Sequence, residues 1–205
     1  MALTHSARSA GAGRPRSSSR GMIAEAAAEL FLEQTYTGTT VDDIARRAGV
    51  SRATFFNYFG AKSDLLWLEV DEALAAFDDT LAGAPAEAAP MDAVLDALTR
   101  LADAFGPDRL PLAVTQVELM GTDAELQASA LPRFLALVRR LEAFIARRAG
   151  LASDALLPRA AATAVVGAAV SAAAAWARAG VRRGPLTPLV RTAVAPVCAG
   201  YAPTL

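Results

Sequence analysis

Residues 39–62 read TTVDDIARRAGVSRATFFNYFGAK, which predicts two short helices joined by a sharp turn. Thr40 occupies a helix-capping position with Asp43 three residues later, close to a capping box. Gly49 predicts the turn, because glycine adopts the left-handed backbone conformation without a steric penalty. Ser51 is placed to cap the next helix. Two short helices around a glycine turn form the framework of a helix-turn-helix, here over about 40–59.

The side chains of this segment divide into an apolar set and an outward-facing set. The apolar set, which would form a small core, is Val41, Ile44, Ala45, Val50, Phe55 and Phe59. The outward set is Arg52, Ala53, Thr54, Phe56, Asn57 and Tyr58. In a major groove, arginine pairs with guanine, apolar side chains contact thymine methyl groups, and hydroxyl and amide groups hold phosphates. The outward set therefore predicts DNA binding.

The flanking residues predict that the rest of the chain is all-α. An apolar repeat gives a first helix over 18–34 that ends near 35–38, and a fourth over 61–81 ends in a segment rich in glycine and proline. Strand signals are nearly absent. Further helices are predicted over 91–105, 108–121, 123–149, 154–179 and 186–200, with Thr122 and Glu125 marking a capping box and with kinks or shifted ends at Pro111, Pro132, Pro158 and Pro196.

We therefore predict a three-helix DNA-binding domain with a helix-turn-helix, followed by a C-terminal helical bundle for ligand binding and dimerisation. Residues 1–17 form a flexible basic arm, residues 18–66 the DNA-binding domain, and residues 67–205 the ligand-binding and dimerisation domain.

Composition limits the chemistry. The chain has 205 residues, with one cysteine and one histidine. An intramolecular disulfide and a histidine-cysteine metal site are therefore excluded, and we expect no catalytic residue, no metal, no cofactor and a reducing cytoplasm. The net charge is −1, but residues 1–62 hold eight Lys/Arg against five acids. Potential for binding phosphate is therefore confined to one end of the chain, although a merely solvated surface would give the same charge pattern.

Residues 160–177 contain no charge, which reaches the length of a membrane span. The run is mostly alanine, with Thr163, Gly167 and Ser171, so its hydrophobicity is weak. Small side chains favour close helix packing instead. We expect a bundle helix and no membrane partner.

From Ala28-Glu29-Leu30-Phe31 through the Thr-Thr-Val-Asp-Asp-Ile-Ala block to Lys62-Ser63-Asp64-Leu65-Leu66, the sequence resembles the TetR (tetracycline-repressor) family of regulators. The resemblance implies that Arg52, Ala53 and Phe56 face bases. It implies backbone contacts by Thr40, Ser51, Thr54, Asn57, Tyr58 and Lys62, while Arg14 and Arg16 would reach an adjacent minor groove. Three departures stand out: Phe56 replaces a tyrosine, Thr35 a glycine, and Ala61 a polar cap that would hold the start of the fourth helix.

The resemblance also implies a twofold dimer formed by the last two long helices. The helix over 154–179 offers Ala, Gly167 and Ser171, and the helix over 186–200 offers a stripe of Leu189, Val190, Val194 and Val197. Completion of a monomer core is the alternative for these residues. Large apolar residues of helices four to eight would form a ligand pocket, although each could equally be plain core: Trp67, Phe77, Phe105, Leu119, Met120, Phe134, Phe144 and Trp176.

Shorter pieces, including Pro90-Met91-Asp92-Ala93 and Ala146-Arg147-Arg148-Ala149-Gly150-Leu151, resemble the regulators found with mycofactocin clusters in actinobacteria. That resemblance implies a fatty acyl-coenzyme A (acyl-CoA) effector, with its phosphates near Arg133, Arg139 or Arg140.

The sequence thus indicates a DNA-binding transcriptional regulator that binds its operator as a homodimer. The default is a repressor released by ligand, and a ligand-responsive activator or a non-regulatory helical ligand-binding module is the alternative. A bundle enzyme would need inward carboxylate or histidine clusters. A nonspecific architectural DNA-binding protein would need more positive charge.

Overall fold

The computed structural model describes residues 18–106, 112–180 and 183–205, and every regular element in these ranges is helical. The all-α prediction is confirmed. The helices are α1 (Ser18–Gly38), α2 (Val41–Arg47), α3 (Arg52–Tyr58), a 3-10 turn (Lys62–Leu66), α4 (Leu68–Ala82), α5 (Pro90–Ala104), α6 (Leu112–Thr115), α7 (Val117–Met120), α8 (Asp123–Arg148), α9 (Leu156–Arg178) and α10 (Thr187–Tyr201).

The three local signals of the helix-turn-helix are confirmed. The Thr40 hydroxyl accepts from the Asp43 amide at 3.1 Å, and the Asp43 carboxylate accepts from the Thr40 amide at 3.0 Å. Gly49 ends α2 with φ 69°. The Ser51 hydroxyl accepts from the Thr54 amide at 3.0 Å and caps α3. Both helices therefore start and stop on side chains present in the local sequence.

The predicted fourth helix is wrong at its start. Residues 62–66 form a 3-10 turn, and the backbone of Trp67 (φ −117°, ψ 7°) separates this turn from α4. Ala61 has no side-chain acceptor, so the cap consists of the bond that its amide donates to the Asp64 carboxylate, at 3.0 Å. Without a full cap, the first turn tightens to 3-10 geometry.

The predicted helix over 108–121 is also wrong. Residues 112–120 form two short helices separated by Gln116 (φ −118°, ψ 34°), and residues 107–111 lie outside the described ranges. The predicted capping box at Thr122 does not form, because Thr122 has helical backbone angles and its side chain makes no capping bond. Gly121, with φ 62°, provides the turn into α8 instead.

The prolines cause less disruption than expected. Pro132 and Pro196 lie inside α8 and α10, and Pro158 lies in the first turn of α9, where the missing amide costs nothing. Pro111 falls outside the described residues.

The apolar side chains form two cores. The first core comprises Ile23, Ala27, Leu30, Phe31, Tyr36, Ile44, Phe55, Phe59, Leu66 and Met120. The second core is built by α4, α5, α8, α9 and α10 around Trp176, Leu141 and Val165. We call residues 18–66 the N-terminal unit and residues 67–205 the C-terminal unit. Met120 of α7 is 1% exposed within the first core, so the two units are joined by packing.

Helix α9 is long and apolar enough, by length and composition alone, to cross a membrane. Its Ala161, Val165 and Trp176 nevertheless face the second core. Arg159 near its start donates to Glu142 of α8 at 3.0 Å, and Glu142 is 7% exposed. These contacts are those of a bundle helix with one face packed and the other free.

Candidate nucleic-acid interface and ligand cleft

Helix α3 separates its buried side chains from its exposed ones over seven residues. Phe55 is fully buried and its ring lies edge-on to that of Phe56, 5.3 Å away between centroids. Phe56 is 45% exposed and Tyr58 43% exposed, with Ala53 and Asn57 exposed between them. Two exposed aromatic side chains on one short helix leave apolar surface in water, which is typical of a binding surface. The structure thus brings together the predicted base-facing residues.

Arg52 is held on this face by two weak contacts. Its guanidinium lies 2.8 Å from the Asp42 carboxylate and 5.3 Å from the centre of the Phe56 ring. Both members of the ion pair are more than half exposed, and such pairs contribute at most about 1 kcal/mol. Arg52 is therefore positioned over the face and is free to exchange Asp42 for another acceptor.

The hydroxyl groups of the interface are already used as caps. Thr40 also donates to the Asp43 carboxylate at 2.6 Å, and Ser51 lies 2.8 Å from the Thr54 hydroxyl. The hydrogen bond from the Thr40 side chain is the largest cause that lowers the pKa of Asp43. These hydroxyls fix the starts of α2 and α3, and their contacts to phosphates stay a prediction.

Lys62 points inward. Its Nζ donates to the carbonyl oxygens of Tyr36 and Thr39, both at 2.7 Å, and lies 3.9 Å from the centre of the Tyr36 ring. Burial lowers the pKa of Lys62, because the charged form loses water. With two of three donors engaged, Lys62 ties the 3-10 turn to the end of α1. One donor remains for the predicted phosphate contact. Arg14 and Arg16 lie outside the described residues.

Two arginines for which the sequence predicted no role, Arg20 and Arg47, bind partners within the same chain at its surface. The Arg20 guanidinium lies 5.6 Å from the centre of the Phe59 ring and forms an ion pair with Glu72 of α4. Arg47 pairs with Glu29 and Glu33 of α1, and its hydrogen bond lowers the pKa of Glu33. These partners are distant in sequence, so no local pattern could have indicated them.

An open cleft of about 300 Å³ lies between α4 and α5. It has an apolar floor and a rim of Glu69, Glu72 and Arg100. Of the eight predicted pocket residues, Phe77 and Phe105 line it.

The other six predicted pocket residues are not brought to this cleft. Met120 belongs to the first core and Trp67 packs against that core. Phe144 and Trp176 are buried in the second core, and Phe134 packs against the second. Leu119 is 57% exposed. All eight residues are apolar, but only Phe77 and Phe105 line this cleft in the described parts of the chain.

The three arginines expected near ligand phosphates also differ from one another. Arg133 binds Asp64 and Asp71, so two carboxylates already neutralise it. Arg140 lies 3.4 Å from Asp78. Arg139 is exposed and forms no ion pair with any residue in the described ranges. Arg139 is thus the one of the three that offers its full charge to an anion.

The free faces of α9 and α10 carry small side chains. On α9, the partly or fully exposed positions Leu156, Ala160, Thr163, Gly167, Val170 and Ala174 follow the alternating three- and four-residue spacing of a helix-packing seam. The predicted stripe on α10 is wrong: Val190 and Val194 are buried in the core of the same protomer, and Leu189 and Val197 pack against it. The outward face of α10 is formed by Pro188, Arg191, Thr192, Pro196, Ala199 and Gly200, so one arginine lies among small and proline side chains.

Family profiles match most of the chain. Residues 23–67 match the profile of bacterial regulatory proteins of the tetR family. Residues 88–202 match the MftR C-terminal domain.

Individual proteins agree with these profiles. A protein of Mycobacterium tuberculosis assigned as the mycofactocin biosynthesis transcriptional regulator MftR is 30% identical over 166 residues, which cover 81% of this chain and 83% of that protein. The crystal structure of NalD, the secondary repressor of the MexAB-OprM multidrug efflux pump in Pseudomonas aeruginosa, superposes with a TM-score of 0.59 at 20% identity. It covers 90% of this chain and 97% of that one. FadR from Bacillus subtilis, solved with stearoyl-CoA, superposes with a TM-score of 0.57 at 20% identity over 88% of this chain and 98% of that one.

Proposed function

Because this chain belongs to the TetR family of bacterial transcriptional regulators, in the group with the MftR C-terminal domain, we propose that it is a cytoplasmic repressor. It binds a palindromic operator as a homodimer and leaves it when a small hydrophobic ligand binds. The family consists of DNA-binding regulators, so the chain is not an enzyme. The observation that carries the proposal is the exposed face of α3, which projects from a core sealed by Phe55.

In the proposed complex, α3 lies in the major groove. Arg52 exchanges Asp42 for guanine, and Ala53 and Phe56 contact thymine methyl groups. Phe56 has no hydroxyl group, so its contribution to base reading is apolar. Asn57 and Tyr58 hold the DNA backbone together with Thr40, Ser51, Thr54 and Lys62, and the arm residues Arg14 and Arg16 reach the minor groove.

The seam on α9 and the outward face of α10 support the homodimer. Small residues such as Gly167 let helix backbones approach closely, and Val170 is 50% exposed at the middle of the seam. A twofold axis through these helices places two copies of α3 on two half-sites of one palindrome.

An acyl-CoA is the first effector to test. The FadR structure contains stearoyl-CoA, and Phe77, Leu101 and Phe105 give the cleft an apolar wall for an acyl chain. Of the three arginines expected near the coenzyme A phosphates, Arg139 is the candidate partner, because it is exposed and has no ion pair in the described ranges.

The proposed mechanism is a population shift. Ligand binds more tightly to a dimer whose two α3 helices have the wrong separation, and operator affinity falls by the same differential free energy, typically about 1–3 kcal/mol. A ligand that favours the correct separation would instead strengthen operator binding, as for a ligand-responsive activator or a repressor that needs its ligand.

The test is fluorescence anisotropy with a labelled palindrome from the promoter upstream of the gene, with and without oleoyl-CoA. We expect specific binding that oleoyl-CoA weakens. Specific binding that oleoyl-CoA does not change removes this effector and keeps the regulator. Binding that oleoyl-CoA strengthens rejects a repressor released by ligand, and leaves a ligand-responsive activator or a repressor that needs its ligand. If neither this palindrome nor a selected operator pool binds at low salt, the proposed function is wrong.

The dimer has a separate test by sedimentation. Val170→Glu places a charge in the seam, and we expect it to shift the protein from dimer to monomer. Leu135→Glu, on an exposed position of α8 (43% exposed), is the matched control and is expected to stay dimeric. A dimeric Val170→Glu variant would place the interface elsewhere.

A further inference from the structure

One face of α8 packs on the 3-10 turn that joins the two units. Glu125, Ser129 and Arg133 follow one another at four-residue spacing, so they lie in a row along that face. Glu125 acts electrostatically on Lys62, and the Trp67 indole donates to the Ser129 hydroxyl at 2.8 Å. The row therefore faces the turn, and the direct contact of Ser129 is with Trp67, the residue that follows the turn.

Arg133 makes the strongest of these contacts. Its Nε and Nη2 donate to the two carboxylate oxygens of Asp71 at 2.8 and 2.7 Å, a bidentate pair. Nη2 also donates to Asp64 at 3.1 Å, and the guanidinium lies 5.3 Å from the centre of the Trp67 ring. The Arg133 side chain is 20% exposed, so water screens these contacts less than it screens a surface pair.

The two carboxylates lie on opposite sides of a break in the backbone. Asp64 belongs to the 3-10 turn, whose start it caps through the Ala61 amide, and Asp71 belongs to α4. Between them, Trp67 has non-helical backbone angles and no continuous helix crosses it. The Trp67 amide ends the turn by donating to the Asp64 carbonyl at 3.2 Å, and the Trp67 carbonyl starts α4 by accepting from the Asp71 amide at 2.7 Å. The two segments thus meet at the non-helical torsions of Trp67, and Arg133 spans this joint.

We propose that Arg133 is a positioning residue for DNA binding, which fixes the angle between the N-terminal unit and α4 by holding Asp64 and Asp71 at once. This inference rests on the proposed function, because a dimer that reads two half-sites needs its two α3 helices at a set separation. Without Arg133, Met120 packing and the Arg20–Glu72 ion pair still link the two units, and the N-terminal unit samples a wider range of angles about Trp67.

The test measures the angle directly by pulsed electron paramagnetic resonance. Nitroxide labels are placed on Glu25→Cys in α1 and Ala143→Cys in α8, both exposed positions, and labelled chain is diluted with unlabelled chain so that only distances within one chain are seen. Cys198 stays unlabelled, because it is buried and burial raises the pKa of its thiol to about 11.

Three variants separate positioning from stability. Arg133→Met keeps the length of the side chain and removes its donors, and we expect the distance distribution to broaden about twofold and operator affinity to fall about tenfold. Arg133→Lys keeps the charge without the bidentate geometry and should fall between this variant and the original protein. Arg147→Met, at an exposed arginine near the end of the same helix, should match the original protein in both measurements.

The outcomes distinguish the inference from the function on which it rests. A distance distribution unchanged in Arg133→Met, with circular dichroism also unchanged, overturns the positioning role even if the protein binds its operator. A distribution that broadens in a protein with no operator supports the role of Arg133 in the angle and rejects the DNA-binding proposal alone. Equal broadening in Arg147→Met would show a general effect of lost charge and would also overturn the inference.

Discussion

In the N-terminal unit, one residue of α3 supports the core while its neighbour is exposed for binding. In the C-terminal unit, a single residue both supports the core and lines the cleft. Phe55 is fully buried and its neighbour Phe56 is 45% exposed. In the C-terminal unit, Phe77 is 1% exposed and also lines the cleft. Substitutions in the N-terminal unit should therefore affect either folding or binding, while substitutions at the cleft should affect both.

The difference follows from how each unit is built. The side chains of Thr40 and Ser51 cap α2 and α3 by accepting from amides three residues later. The exposed faces of these helices therefore do not have to pack against the core. The helices of the C-terminal unit are held by their mutual packing, and its cleft is a gap left between α4 and α5.

The largest effect is expected for the two neighbouring phenylalanines. Phe55→Ala removes a fully buried ring from the first core and should cost about 3–5 kcal/mol of unfolding free energy. Phe56→Ala should leave stability nearly unchanged and weaken operator binding. Urea unfolding followed by Trp67 fluorescence in a Trp176→Phe background, together with anisotropy, measures both quantities.

The contrast between the two units would fail if Phe55→Ala and Phe56→Ala had the same effect on stability. Loss of stability in Phe56→Ala as large as in Phe55→Ala would mean that the exposed face of α3 also supports the core. Phe77→Ala is the counterpart in the C-terminal unit. It should lower stability and also change the response to oleoyl-CoA.

Arg52 gives the next largest effect, on binding alone. Arg52→Ala should weaken operator binding about 10- to 100-fold and relax base preference at one position of each half-site, as expected for the loss of an arginine-guanine contact. Its ion pair with Asp42 is exposed, so the melting temperature should not change. Arg47→Ala is the matched control, since Arg47 holds Glu29 and Glu33 instead of facing the groove. A larger loss of binding in Arg47→Ala would place the base contacts elsewhere.

The sequence predicted the parts of the fold that depend on neighbouring residues. Thr40, Gly49 and Ser51 act within three or four positions, so the start and end of α2 and α3 could be read directly. The break at Trp67 could not, because it accompanies contacts with Ser129 and Arg133, which lie more than sixty residues away. The inward position of Lys62 and the dispersal of the eight pocket residues depend on packing in the same way.

Thr35 is the position where the N-terminal unit departs from its own local pattern. Thr35 has φ 66° and ψ 164°, backbone angles that are open almost only to glycine. Its Cβ would lie 3.7 Å from a Cβ added to Gly121. Thr35→Gly should relieve this strain and raise the unfolding free energy by about 1 kcal/mol, after the entropy cost of a glycine. Gln34 and Thr35 have non-helical angles inside α1, and Thr37 lies in the short helical segment after them. Thr37→Gly should lower the unfolding free energy by about 0.5–1 kcal/mol. A loss of stability in both variants would show that the Thr35 hydroxyl bond to the Gly38 amide outweighs the strain.

The smallest effect expected is the dependence of the N-terminal unit on acid. Hydrogen bonds from Thr40 and from Arg47 lower the pKa of Asp43 and Glu33 below their ordinary values of 3.8 and 4.5. A carboxylate with a lowered pKa stabilises the folded state above its unfolded pKa, and this contribution is lost as the pH falls through the folded value. The Trp67 transition should therefore weaken below about pH 4.5, and a variant with Asp43→Asn and Glu33→Gln should lose part of that dependence. The Trp176 transition, followed in a Trp67→Phe background, should respond to acid equally with and without the two substitutions. If the acid dependence of the Trp176 transition changed with the two substitutions, the two units would unfold as one. Phe55 and Phe56 would then have separate effects on binding, but the two units would not differ in stability.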